Sequence, residues 1–214
     1  MVELLNIDCM EYMAGLPDKS FDLAIVDPPY GIGRDGYECG SKANESWKNP
    51  VKKIYEKKDW DNSIPTLEYF NELYRVSKNQ IIWGGNYFIE HLRSSMCVIA
   101  WNKEVNGNFS EFELAWTSFD TRARLFTWMW NGYRKQRPEI RFHPTQKPVA
   151  LYAWLINNYA KPGDKILDTH LGSGSSAIAA HKLGFDFVGC EIDKDYYEAA
   201  VKRYKREVAM PLFD

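Results

Sequence analysis

Apolar and polar positions along this chain alternate in two periods. Short apolar runs, of strand length, are Glu3–Asp8, Phe21–Val26, Gln80–Gly84, Met96–Trp101, Phe112–Ser118, Leu125–Trp130, Lys165–Asp168 and Phe185–Glu191. Segments with helical spacing are Thr66–Val76, Pro148–Tyr159, Ser175–Leu183 and Asp193–Val208. In the first of these, Leu67, Phe70, Leu73 and Tyr74 recur at helical intervals behind Pro65. Strands alternating with helices predict an α/β domain around a largely parallel sheet. Phe112–Ser118 and Leu125–Trp130 follow one another without a helix between them, which predicts an antiparallel part. Between Gly31 and Ile64 the pattern lapses into a long polar stretch of mixed charge, with several glycines and Pro50. Loops of that length inside a domain are commonly functional, so 31–64 is a candidate lid or substrate clamp.

The 214 residues fit one domain, large enough to bury about 70% of its unfolded surface. No stretch reaches membrane-spanning length and the amino terminus has no basic-then-apolar leader, which points to a soluble, cytoplasmic protein. Cys9, Cys39, Cys97 and Cys190 form no Cys-x-x-Cys pair, and His91, His143, His170 and His181 have no metal-ligand spacing. Free thiols and no metal are the expectation. Net charge is −2, so no uniform field for nucleic acid exists. Locally the balance changes. From Phe119 to His143 six basic residues (Arg122, Arg124, Arg134, Lys135, Arg137, Arg141) face two acidic ones, a local net of +4 among several rings. Basic residues interleaved with aromatics suit a nucleic-acid face, and equally a solvated edge over core rings.

The chemistry concentrates at two strand ends. Asp27-Pro28-Pro29-Tyr30 sits directly behind the apolar run Phe21–Val26. Prolines fix φ and lack an N–H, so this rim offers a rigid acceptor cluster, the Asp27 carboxylate and the Pro28 carbonyl, beside a flat ring. Such a cluster suits a planar, amine-bearing ring held by its N–H donors with Tyr30 stacked on its face. Far downstream, Lys165–Asp168 runs into Thr169-His170-Leu171-Gly172-Ser173-Gly174-Ser175 and then a helix. Glycines in a strand-to-helix turn let backbone approach a ligand, and the helix start offers free N–H groups. The next strand ends in Glu191-Ile192-Asp193, where an acid commonly takes ribose hydroxyls. A dinucleotide site shares this logic, but the third helix-packing glycine is missing here.

Together the two halves resemble the S-adenosylmethionine-dependent DNA amino-methyltransferases, in the permuted order called the beta group, over nearly the whole chain. The resemblance implies a Rossmann-like class I methyltransferase fold with seven or eight strands, circularly permuted, helices on both faces. It implies Asp27, Pro28, Pro29 and Tyr30 as the catalytic tetrapeptide, with Asp27 also beside the cofactor. It implies cofactor contacts from Asp8 and Cys9; from Thr145, Gln146 and Lys147 in the segment His143–Pro148; from Asp168, Thr169, His170, Gly172, Ser173, Gly174 and Ser175; and from Glu191, Ile192 and Asp193. His170 departs from the family's Phe at that position. Without a separate recognition domain, target contacts fall to 31–64 and 102–143, with Tyr30, Trp60, Arg122, Arg124, Arg134, Lys135 and Arg137 as candidates. Trp60 reads equally as a base-stacking wedge or a hydrophobic anchor. The implied reaction is methyl transfer to the exocyclic amine of a flipped adenine in double-stranded DNA. Cytosine or RNA as substrate, a non-catalytic cofactor- or DNA-binding subunit, and more distantly a dehydrogenase are the rivals. A homodimer is an expectation, and the end Met210–Asp214 faintly resembles a sliding-clamp peptide.

Overall fold

The computed structural model describes residues 1–36, 57–105, 110–130 and 141–209, together with the backbone of two short strands, β3 (Glu38–Cys39) and β4 (Lys53–Ile54), which pair antiparallel. The principal sheet has eight strands: β1 (Val2–Leu5), β2 (Phe21–Val26), β5 (Ser77–Trp83), β6 (Val98–Asn102), β7 (Phe112–Thr117), β8 (Arg124–Thr127), β9 (Lys165–Asp168) and β10 (Asp186–Cys190). Their spatial order is β1-β10-β9-β2-β5-β7-β6-β8. Every neighbouring pair is parallel except those of β7, which runs against both β5 and β6.

The antiparallel part therefore exists, but β8 does not pair with β7. It lies parallel to β6 on the far side, with Ala100 opposite Leu125 and Trp101 opposite Phe126. Register, not sequence adjacency, decides such a pairing.

Five helices cover the sheet: α1 (Cys9–Ala14), α2 (Leu67–Val76), α3 (Val149–Tyr159), α4 (Ser175–Lys182) and α5 (Lys194–Val208). Successive side chains of a strand point to opposite faces. Thus Leu23 and Ile25 of β2 pack with Leu151, Leu155 and Ala179 of α3 and α4, while Ala24 and Val26 pack with Met13, Phe70 and Leu73 of α1 and α2. Full burial of a Leu or Phe contributes about 1.5–3 kcal/mol by transfer alone. Two expectations shift. The stretch Glu3–Asp8 is strand only as far as Leu5, because Asp8 starts α1, its Oδ1 accepting from the N–H groups of Met10 (2.7 Å) and Glu11 (3.3 Å). On α2 the buried stripe is Tyr69, Phe70, Leu73 and Val76, with Leu67 exposed.

This topology places the ligand edge. From β2 the chain crosses through α2 to β5 on one side, whereas from β9 it crosses through α4 to β10 on the other. A crevice opens where the direction reverses, outside the carboxyl ends of β2 and β9. Asp27 follows β2 directly and Asp168 ends β9, so both acidic motifs meet there. No helix among the described residues is long and apolar enough to cross a membrane.

Candidate active site

A cleft of about 220 Å³ lies at this edge. Asp27 and Pro29 line it from β2, and His143, Thr145, Gln146 and Lys147 from the segment before α3. His170, Leu171, Gly172 and Ser173 contribute from the turn after β9, and Glu191, Ile192 and Asp193 from the end of β10. Asp27 and Lys147, 120 positions apart in sequence, thus share one cavity. Of the other predicted site residues, Asp8, Cys9, Pro28, Tyr30, Asp168, Thr169, Gly174 and Ser175 are outside its lining. Among the described residues no cluster of His, Cys, Asp or Glu could hold a metal ion.

On the side of β9 and β10, carboxylates are met by backbone amides and hydroxyls. Glu191 Oε2 accepts from the Gly172 N–H (2.8 Å), and its Oε1 from the Asp193 N–H (2.9 Å). The turn reaches this acid because Gly172 and Gly174 take φ of +50° and +72°, a region L side chains rarely adopt. Asp168 accepts from the Ser176 hydroxyl (2.6 Å) and the His170 N–H (3.0 Å). These neutral donors do not offset burial fully: Asp168 is pushed up to about 7, and Glu191 is raised for the same reason.

His170, standing where Phe is usual, is oriented by a relay. Tyr69 Oη lies 2.7 Å from Thr169 Oγ1, which lies 2.9 Å from His170 Nδ1. Burial holds Tyr69 protonated and lowers His170 to about 4. A chain in which Tyr69 donates to Thr169 and Thr169 to Nδ1 would leave the His170 proton on Nε2. The ring is a neutral donor packed edge-on against Tyr69 (5.4 Å).

On the side of β2 the partners are charged. Asp27 Oδ1 accepts from the Tyr30 hydroxyl (2.6 Å), and Oδ2 is paired with the Lys147 ammonium. Lys147 is almost fully buried, its side chain 4% exposed, and a second carboxylate, Glu113 Oε2 on β7, lies 3.3 Å from it. Glu113 Oε1 is held by Lys103 at 2.9 Å. Burial raises the Asp27 carboxyl against the pull of Lys147, whereas for Glu113 the two lysines outweigh burial and hold it at about 2.

Tyr30 is seated, not loose. Its ring stacks on Tyr87 (centroids 4.8 Å, planes 15° apart) and rests on Gly84, where an added Cβ would come within 2.2 Å of the ring. Asp61 fixes the loop that follows: Oδ1 accepts from the N–H groups of Tyr30 (2.7 Å) and Gly31 (2.9 Å), and Oδ2 from that of Arg34 (2.7 Å). Trp60 beside it lines the cleft and stacks on His143 (5.6 Å), which also packs against Tyr196 (4.3 Å). His143 is held neutral, lowered to about 3 by burial, Arg141 and Lys147.

The sequence-predicted residues divide accordingly. Trp60 lines the cleft with Asp193 and Tyr196. Arg122 and Arg124 are not brought to the cleft. Arg124 begins β8, at the amino end of the parallel strands, and donates to Asn158 near the end of α3 (2.9 Å). Arg134, Lys135, Arg137, residues 37, 40–52, 55 and 56 of the 31–64 loop, the Cys39 side chain and the last five residues lie outside the described residues. Glu113, Asp61, Gly84 and Tyr87 were missed. Only Gly84-Gly85 behind the strand-like Gln80–Trp83 carried a signal for a close approach of backbone.

Residues 100–202 match the family model described as DNA methylase. The chain is 27% identical to the methylase YubD of Escherichia coli (strain K12), covering 95% of this chain and 90% of that protein. Its fold is similar to the DNA modification methylase TTHA0409 of Thermus thermophilus, solved with S-adenosyl-L-methionine (TM-score 0.59, 19% identity, 100% and 98% of the two chains). It is also similar to the PvuII DNA methyltransferase, which is cytosine-N4-specific (TM-score 0.60, 13% identity, 97% and 90%). The two strand-end motifs that open on one cleft, the sheet that joins them and the match across residues 100–202 agree in their likeness to the S-adenosylmethionine-dependent DNA amino-methyltransferases.

Proposed function

We propose that the protein methylates the exocyclic amine of a flipped adenine in double-stranded DNA, using S-adenosylmethionine. The observation that carries this reading is the convergence of Asp27 and the Gly172–Glu191 turn on one cleft.

The residues present fit that cofactor. Glu191 at the tip of β10 would hold ribose hydroxyls, the glycine turn allows close backbone approach, and the His170 ring, which lines the same cleft, would offer a neutral polar group to the cofactor. Thr145, Gln146, Ser173, Ile192 and Asp193 line the cleft, whereas Asp8, Cys9, Thr169, Gly174 and Ser175, implied by the resemblance, are outside its lining. When bound, S-adenosylmethionine supplies an activated sulfonium methyl group.

Asp27 supplies the acceptor. An adenine amine is a weak nucleophile because its lone pair is delocalised into the ring. Acceptors on its N–H bonds, from Asp27 and the Pro28 carbonyl, localise that pair and stabilise the positive charge that develops on nitrogen. Rigid placement by the prolines and by Asp61 supplies orientation. An amine inside a duplex is out of reach, so the base must leave the stack. Tyr30 and Tyr87, already a stacked pair with Tyr87 41% exposed, form the aromatic platform beside Asp27. Target contacts come from the 31–64 and 102–143 regions, within the single domain 1–214.

An Asp at the first position of the tetrapeptide favours adenine by resemblance. The cytosine-N4-specific PvuII enzyme on a similar fold keeps the cytosine amine as the second reading. The test is methyl transfer from labelled S-adenosylmethionine to unmethylated duplex DNA, followed by nucleoside mass spectrometry. N6-methyladenine is expected. N4-methylcytosine would replace the base assignment, and label in RNA but not DNA would overturn the substrate.

A further inference from the structure

Asp27 faces a difficulty in the arrangement described. Both its oxygens are engaged, Oδ1 by the Tyr30 hydroxyl and Oδ2 by the Lys147 ammonium. Each oxygen keeps a second lone pair, but an ammonium on Oδ2 draws off the negative charge that a target amine would need there. Lys147 cannot simply leave, because a buried ammonium without a counter-charge is costly. It has a second seat. Glu113 Oε2 lies 3.3 Å from Nζ, and Glu113 is itself fixed by Lys103 on its other oxygen. The side chain of Lys147 also lies over the Trp83 and Tyr30 rings (5.5 and 5.6 Å), surfaces across which an ammonium can shift while staying solvated by π faces.

We propose that Glu113 is a positioning residue for methyl transfer: it receives Lys147 when the target amine displaces the ammonium from Asp27. This rests on the methyl-transfer reading above. Asp27 and Glu113 then work as two anionic seats for one cation. With the amine absent, Lys147 pairs with Asp27, which lines the cleft. With the amine present, Lys147 rests on Glu113, and Asp27 is free to accept from the amine N–H. Lys103 keeps Glu113 from following.

The test compares wild type, Glu113→Gln and Glu113→Asp in methyl transfer to DNA, with cofactor affinity measured separately by calorimetry. Glu113→Gln should lower kcat about 100-fold, the scale of a misplaced reacting group. Cofactor KM and Kd should stay within about twofold of wild type, and Glu113→Asp should recover most of kcat. A pH profile separates positioning from mere support. The groups facing Asp27 are Lys147, Tyr30, Glu113, Tyr152 from α3, Tyr69 from α2 and Asp168 from β9. Of these only Glu113 changes, and removing its negative charge should move the acidic limb of kcat to lower pH while the plateau falls. A Glu113→Gln enzyme with wild-type kcat overturns the proposal. So does a loss that leaves the acidic limb in place and weakens cofactor binding or thermal stability, since that is a structural role. No transfer by wild type to any nucleic acid overturns the reading and the proposal together.

Discussion

The two halves of the cleft hold their carboxylates in opposite ways. Around β9 and β10, Asp168 and Glu191 are held by neutral donors drawn from nearby in the chain: the His170 amide, the Ser176 hydroxyl, and the amides of Gly172 and Asp193. Around β2, Asp27 and Glu113 are held by lysines, and the decisive one, Lys147, lies 120 residues from Asp27. Neutral donors leave burial dominant, so Asp168 is poised near neutrality at about 7. Ammonium groups reverse that balance, so Glu113 stays ionised down to about 2. One half is built to receive a ligand with hydrogen bonds. The other keeps the Glu113 charge in a buried place beside Lys147, whose pull on Asp27 opposes the effect of burial there.

The comparison breaks most visibly at Asp27. Asp27→Ala should cost about 1,000-fold in methyl transfer, because the acceptor that acts on developing charge is gone. Cofactor Kd by calorimetry should stay within about threefold, since the β9–β10 half is untouched. Equal activity in this variant would remove the mechanism. Next comes Asp61→Ala, which strips an acceptor from three backbone N–H groups and releases the chain after Tyr30. We expect kcat to fall about 100-fold with a melting temperature several degrees lower, read by single-turnover kinetics and thermal melts.

Glu191→Gln probes the other half. Its amide can no longer accept from both Gly172 and Asp193, so the glycine turn loosens. Cofactor Kd should weaken about 10- to 100-fold, as for hydrogen bonds to a charged group, with kcat at saturation unchanged. A fall in kcat instead would mean that the two halves are not separable. The smallest effect concerns pH. Asp168 has a folded pKa of about 7 against 3.8 unfolded, so the native state binds the extra proton. Its contribution to stability is therefore full below about pH 4 and declines as pH rises to about 7, by up to about 4 kcal/mol. Asp168→Asn should flatten that decline in chemical denaturation run at pH 5 and pH 8. A decline of unchanged slope would assign it to another group.

The strands were legible to within a few residues because their apolar runs must be buried whatever the fold. The glycine turn was legible because it needs positive φ at Gly172 and Gly174. Helix α1 was not: its only start signal, Asp8, sat inside what looked like a continuing strand. The basic stretch read as one face, yet Arg124 belongs to the opposite edge of the sheet from the cleft, because strand direction, not composition, sets which edge a residue occupies.

By itself the sequence determined the two strand-end motifs, the alternation that makes an α/β sheet, and hence the family resemblance. These are local: a proline pair fixes φ, a glycine permits a turn, and an apolar period selects strand or helix. Only the tertiary structure decided that Lys147, read from its segment as a cofactor contact, pairs with Asp27, that Glu113 lies beside that pair, and that Trp60 stacks on His143. Those contacts join β2, β7 and the segment before α3, distant in sequence, and their energy depends on burial that no single segment can reveal.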